Sequence, residues 1–172
     1  PVTTGLLLGL AATKEEIVDD ILNLISLLSK NLAIQEVILQ NFRAKKNTLM
    51  KNSSEITNDL FLRIIATTRI YAPSHISIQV PPNLSPDINI FLKSGINDLG
   101  GISPITIDWV NPDHLWPNLN QLKSDISNTS QVMKKRLPVY PEFIKKEWLS
   151  SQIFEKVNNI IDTDGYPKET NE

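Results

Sequence analysis

Cysteine is absent from all 172 residues, which excludes disulfides and any thiolate-bound metal within this stretch. Only two histidines are present, His75 and His114, and no Ser-His-Asp arrangement suggests itself. A Gly-x-Gly-x-x-Gly fingerprint and a P-loop are both missing, so the usual nucleotide-phosphate cradles are not expected. Charge of one sign is lacking too. Seventeen basic and nineteen acidic residues leave a net charge of −2, which makes no electrostatic case for nucleic acid or an anionic membrane. The longest apolar run, 5–12, falls far short of the ~20 residues of a membrane helix, and no basic segment precedes it as in a signal peptide. What remains is ordinary: 41% apolar and 21% charged residues, enough for one core and too short for most two-domain enzymes.

Four strand-then-helix units are read in order. A strand over 3–9 precedes a helix over 14–30, where Thr13 and Glu16 form a capping box and Ile17, Ile21, Leu24 and Leu28 make one apolar stripe. A strand over 36–40 leads through a Lys- and Asn-rich loop to a helix over 54–71, with Leu60, Ile64 and Ile65 inward. A third strand spans 76–80; Ser85-Pro86 then opens a short helix that Gly95 closes. A fourth strand ends in the turn Asn97-Asp98-Leu99-Gly100-Gly101-Ile102-Ser103-Pro104, and a helix over 119–135 follows, with Lys134, Lys135 and Arg136 at its negative end. Pro138 and Pro141 bracket an extended segment, and an amphipathic helix over 150–161 presents Ile153, Val157 and Ile160 for docking before a polar tail that frays.

This alternation argues for a parallel sheet with right-handed crossovers. An open doubly wound sheet and part of a (β/α) barrel both fit it. Strand chemistry favours the barrel: in 76–80 the residues Ile76, Ile78 and Val80 alternate with Ser77 and Gln79, whereas a central strand of an open sheet is normally apolar on both faces. The fold class expected is therefore α/β, with residues 1–136 as half of a barrel and 137–172 as a helical extension and tail. The chain starts at Pro1, inside a strand, and reads as a piece of something longer.

Polar residues cluster at the expected strand ends. Gln40, Asn41 and Arg43 offer an amide pair and a guanidinium after the second strand, or Arg43 instead ties the rim by pairing with Asp98. Gln79 and Asn83 follow the third, with Ser77 deeper; Asn97, Asp98, Gly100, Gly101 and Ser103 follow the fourth. Asp98 is a candidate acid, base or orienter of a hydroxyl, with a buried aspartate satisfied by backbone amides as the alternative. Trp109, Trp116 and Tyr140 are candidates for stacking on a flat ligand, Trp116 more readily as a packing residue.

The glycine turn, taken with Asn111-Pro112, Trp116-Pro117, Gln40-Asn41-Phe42-Arg43-Ala44-Lys45 and Pro81-Pro82-Asn83-Leu84-Ser85-Pro86, resembles the radical-SAM first subunit of 7,8-didemethyl-8-hydroxy-5-deazariboflavin (FO) synthase. The resemblance spans nearly all of these residues but only the back half of that family's chain, without its cysteine-bearing front half. It implies a cytoplasmic lyase of deazaflavin biosynthesis, using S-adenosylmethionine and a four-iron four-sulfur cluster. Such an enzyme cyclises a hydroxybenzyl-ribityl-uracil adduct, made by a tyrosine-using sister subunit, with loss of ammonia. It also implies that Gly5, Leu7 and Gly9 line the adenosyl group, that Gln40, Asn41, Arg43, Gln79, Asn83, Asn97, Gly100, Gly101 and Ser103 hold substrate, and that Asp98 is catalytic. The chain departs from the family at Ala11 and Ala12, which replace a glycine and a glutamate, and at Asn47 and Leu49, which replace glycine and proline. No metal ligand is expected in this chain, which alone should be inactive. The alternative is a non-catalytic half-barrel that binds only a ligand or a complementary chain.

Overall fold

A computed structural model describes residues 1–10, 13–85, 87–103 and 105–168. Ala11 and Ala12, Pro86 of the expected helix start and Pro104 of the glycine turn lie outside the described residues. The chain runs β1 (Val2–Leu8), α1 (Lys14–Lys30), β2 (Ile34–Asn41), α2 (Asn58–Tyr71), β3 (Ser77–Gln79), α3 (Ile88–Lys93), α4 (Leu119–Ser127) and α5 (Ser151–Ile160), with 3-10 turns at Pro82–Leu84 and Pro141–Phe143. This is an α/β arrangement around a three-stranded parallel sheet in the order β1-β2-β3.

Strand β2 is central, pairing along its length with β1 and over three positions with β3. Both crossovers are helical, as parallel strands require. Alternation sends Leu6, Leu8, Val37, Leu39 and Ile78 to the side of α1 and α2, where they meet Ile21, Leu24, Leu28, Phe61, Ile64 and Ile65 in one core. The rings of Phe61 and Phe91 meet there, centroids 5.5 Å apart. The opposite face carries Thr3, Gly5 and Leu7 from β1, Glu36, Ile38 and Gln40 from β2, and Ser77 and Gln79 from β3. Helix α1 starts as its sequence dictates: Thr13 and Glu16 exchange the two capping-box hydrogen bonds.

Four expectations change. The fourth strand is reduced to a single parallel bridge between Gln79 and Asp98, because two glycines and the Asp98 side chain turn the backbone away before a ladder can propagate. The short helix is capped by Asp87, whose Oδ1 accepts from Asn89 N (3.2 Å), rather than by Ser85. Helix α4 stops at Ser127, so Lys134, Lys135 and Arg136 do not sit at its end; Arg136 is drawn into the sheet by two acids. The expected stripe on α5 does not dock: Ile153 and Ile160 are exposed and no α5 residue is buried. Gly95 does close α3, with φ of +112°.

Candidate functional site

The ends of β2 and β3 converge on one carbonyl. Asn41 Nδ2 (3.2 Å) and Arg43 Nη2 (3.0 Å) both donate to Leu84 O, in the 3-10 turn that follows β3. Arg43 Nη1 also donates to Glu55 Oε2 (2.8 Å), and Ala44 N to Glu55 Oε1 (2.9 Å). Arg43 thus pairs with Glu55, not with Asp98. Around this carbonyl, Asn41 Oδ1, Arg43 Nε and Asn83 Oδ1 are buried with no hydrogen-bond partner among the described residues. Buried polar atoms are normally satisfied, so three orphans at neighbouring strand ends mark a place where a ligand or water completes the bonding. Gln40 and Gln79 lie half-buried on the open face, and their amides likewise make no bond among the described residues.

The Arg43 guanidinium beside Glu55 holds that carboxyl below its ordinary range, against the opposing effect of burial. A depressed carboxylate contributes stability above its unfolded value, near 4.3, and loses it as pH falls through the lower folded value. Exchange of the Ala44 amide should therefore lose protection on acidification below about pH 4, while amides of the β2 core keep theirs; retained protection at Ala44 would show that Glu55 does not hold it.

Other expected site residues are engaged structurally. Asn83 Nδ2 donates to Asp108 Oδ2 (2.9 Å) and His114 O (3.3 Å), tying the third strand's end to the 108–114 loop. Asp108 is held below its usual range; burial opposes this, but bonds from Asn111, Asn83 and backbone amides outweigh it. Asn97 Oδ1 accepts from Arg69 Nη2 (2.7 Å) and Ile78 N (2.8 Å), standing in for a missing ladder partner of β3. Ser103 Oγ accepts from Thr106 N (3.0 Å) and so folds its own loop. Gly100, at φ +68°, brings its backbone against Gln79: an added Cβ would lie 2.1 Å from Gln79 Nε2. Gly101 is exposed with open space beside it.

Asp98 is saturated. Its oxygens take Arg136 Nε (2.5 Å) and Nη2 (2.9 Å), Tyr140 OH (2.7 Å) and Gly100 N (2.6 Å), which fills a carboxylate's acceptor sites. Arg136 Nη2 also reaches Glu36 Oε1 (2.8 Å), and Thr3 Oγ1 donates to Glu36 Oε2 (2.9 Å). The Tyr140 hydroxyl lies 2.9 Å from Glu36 as well, sharing its one proton between the two acids. Burial, then the Asp98 charge, pushes the phenol far above its ordinary range, so it stays a donor. Burial alone would lower Arg136, but its bond to Asp98 and the surrounding negative charge raise it instead. The residue expected to be catalytic is thus engaged by Arg136, Tyr140 and the Gly100 amide, bonds that tie the 136–140 segment to the sheet. This also answers the alternative, since a guanidinium and a phenol satisfy the acid along with one backbone amide. The same segment is pinned again by Gln35, which donates to Pro138 O (2.9 Å) and accepts from Tyr140 N (3.1 Å), so residues 136–140 lie against the start of β2.

Sequence reasoning missed Glu36 and Arg136. The available signal was an acid inside an apolar strand, Ile34-Gln35-Glu36-Val37, since a buried glutamate demands a cation. Tyr140 belongs to this cluster, with its ring under the Arg136 guanidinium at 4.2 Å, and is not an exposed stacking platform. Trp109 is exposed; Trp116 is half-buried, its indole N–H without a partner among the described residues. His75 is exposed, and His114 serves its loop through backbone bonds.

On the first strand, Gly5 is required by pairing. A Cβ there would lie 2.4 Å from Ile38 O, so the space belongs to β2. Leu7 is 46% exposed on the open face, and Gly9 turns at φ +108° against Phe42 and Ile56. Among the described residues no group of three or more His, Asp or Glu could hold a metal ion, and no helix is long and apolar enough to cross a membrane.

No family model and no solved structure matches the chain. Known sequences do. The chain is 42% identical over 158 residues to the 7,8-didemethyl-8-hydroxy-5-deazariboflavin synthase of Methanocaldococcus jannaschii, which covers 91% of this chain and 44% of that protein. It is 39% identical over 168 residues to the synthase of Methanosarcina barkeri (98% and 51%) and 38% identical over 169 residues to that of Archaeoglobus fulgidus (98% and 52%). The chain spans about half the length of the curated relatives it matches. It is homologous, across nearly all of its own residues, to about half of a 7,8-didemethyl-8-hydroxy-5-deazariboflavin synthase.

Proposed function

We propose that this chain is the C-terminal half of a radical-SAM (β/α) barrel and holds the substrate of deazaflavin formation, a hydroxybenzyl-ribityl-uracil adduct supplied by the tyrosine-using sister subunit. The observation that carries the reading is the set of unpartnered polar atoms at the strand ends: Asn41 Oδ1, Arg43 Nε and Asn83 Oδ1, with the free amides of Gln40 and Gln79. A ribityl-uracil is rich in carbonyls and hydroxyls, and these groups offer it both donors and acceptors. Gly100 keeps the neighbouring turn close to Gln79, leaving that amide to face the ligand. The sheet face that carries Gln40 and Gln79 is lined by Leu7 and Ile38 as well, an apolar surface for a flat ring.

S-adenosylmethionine fits this surface in part. Leu7 presents apolar surface, whereas Gly5 leaves no free space, its position being filled by the Ile38 carbonyl. The group would supply a radical able to abstract hydrogen, with the iron–sulfur cluster as electron source. This chain has no cysteine, so it offers that cluster no thiolate, and it is inactive on its own in such chemistry. Its own residues orient the substrate and keep water from the reacting face.

The test is Gln40→Ala in a complete enzyme carrying this half. Because the Gln40 amide makes no bond among the described residues, melting should be unchanged while kcat/KM falls about tenfold, the worth of one or two lost hydrogen bonds. Unchanged turnover would retire the substrate reading. The lack of cysteine favours a second reading, a non-catalytic chain that binds ligand only; calorimetry would then show ribityl-uracil binding to this chain, with no turnover after the cysteine-bearing half is added.

A further inference from the structure

We propose that the cleft between α3 and α4 binds a primary ammonium group carried on a short alkyl chain. The cleft, about 180 Å³, is separate from the strand-end groups Gln40, Arg43 and Gln79. Ser85 lines it, is 2% exposed, and its hydroxyl has no partner among the described residues. Asn89, the second residue of α3, also lines it with a buried Oδ1 that accepts no bond among the described residues. Two unsatisfied buried groups in one small cleft call for an occupant that can donate to them.

The charges say which occupant. Asp87 and Asp125 stand on the two sides, and no lysine or arginine lines the cleft. Each acid spends only one oxygen internally: Asp87 Oδ1 accepts from Asn89 N (3.2 Å), and Asp125 Oδ1 from Gln121 Nε2 (2.8 Å). Their other oxygens accept no bond among the described residues. An anion is disfavoured by this pair. A divalent metal is disfavoured too, since no group of three acidic or histidine ligands assembles among the described residues. A primary ammonium brings three donors and one positive charge, matching two carboxylate oxygens and the Ser85 or Asn89 acceptor. Ile88 and Leu122 supply apolar walls for the methylenes behind it.

Titration of the chain with n-butylammonium, followed by amide shifts at Ser85, Asn89 and Gln121, tests this. Saturable shifts are expected, weaker by about tenfold for tetramethylammonium, which has no N–H to donate. Asp125→Asn and Asp87→Asn should each weaken binding by a similar factor with melting unchanged, asparagine keeping the cap at position 87. Ser85→Ala provides a further arm that removes no charge. Equal response to tetramethylammonium, which would mean general surface charge, overturns the proposal, as does a lack of saturation or indifference to both aspartate substitutions.

Discussion

Arg136→Ala is expected to be among the most destabilising single changes in this chain, lowering stability by about 3–5 kcal/mol and the melting temperature by on the order of 10 °C for a domain of this size. Among the described residues Arg136 is the only cation bonded to Glu36 and Asp98, whose side chains are 6% and 11% exposed. Removing it leaves two carboxylates close together in a dry site, with one phenol proton between them. The loss then comes from uncompensated buried charge more than from the missing bonds. Arg136→Met combined with Glu36→Gln and Asp98→Asn should recover most of the deficit, since a neutral cluster carries no such penalty. Thermal melts of the single and triple variants check this. A single variant that melts normally would show that the cluster does not hold the 136–140 segment against β2.

Gly5→Ala is the second. Its Cβ would meet Ile38 O at 2.4 Å and Ile38 C at 3.2 Å, both rigid backbone in the central strand, so β1 must move away from β2. Overpacking of this kind costs about 1–3 kcal/mol, and faster amide exchange at Ile38, Leu39 and Gln40 should report it. Gly101→Ala is the control: nothing lies within 4 Å of its added Cβ and its φ is not positive, so stability should stay within about 0.5 kcal/mol. If Gly5→Ala melts like the control, the glycine serves a ligand and not the sheet.

The two glycines illustrate what could be read from residues alone. Both stood in motifs of one family, and that family is the one matched by the curated relatives. Only the tertiary structure distinguishes a glycine facing a backbone carbonyl from one facing open space, because the difference lies in a neighbouring strand 33 residues away. Arg43 shows the same limit: its place at a strand end was legible, its partner Glu55 was not.

The sequence by itself determined the local elements: the capping box of α1, the apolar stripe of Ile21, Leu24 and Leu28, the alternation in β3 and the helix stop at Gly95. These depend on contacts within a few residues, where periodicity and caps carry the energy. The tertiary structure alone decided where α4 ends, that the fourth strand shrinks to one bridge, and that Asp98 is occupied by groups 38 and 42 residues further on. The last of these is set by a buried acid finding its cation, a choice that chain neighbours do not influence and only long-range packing makes.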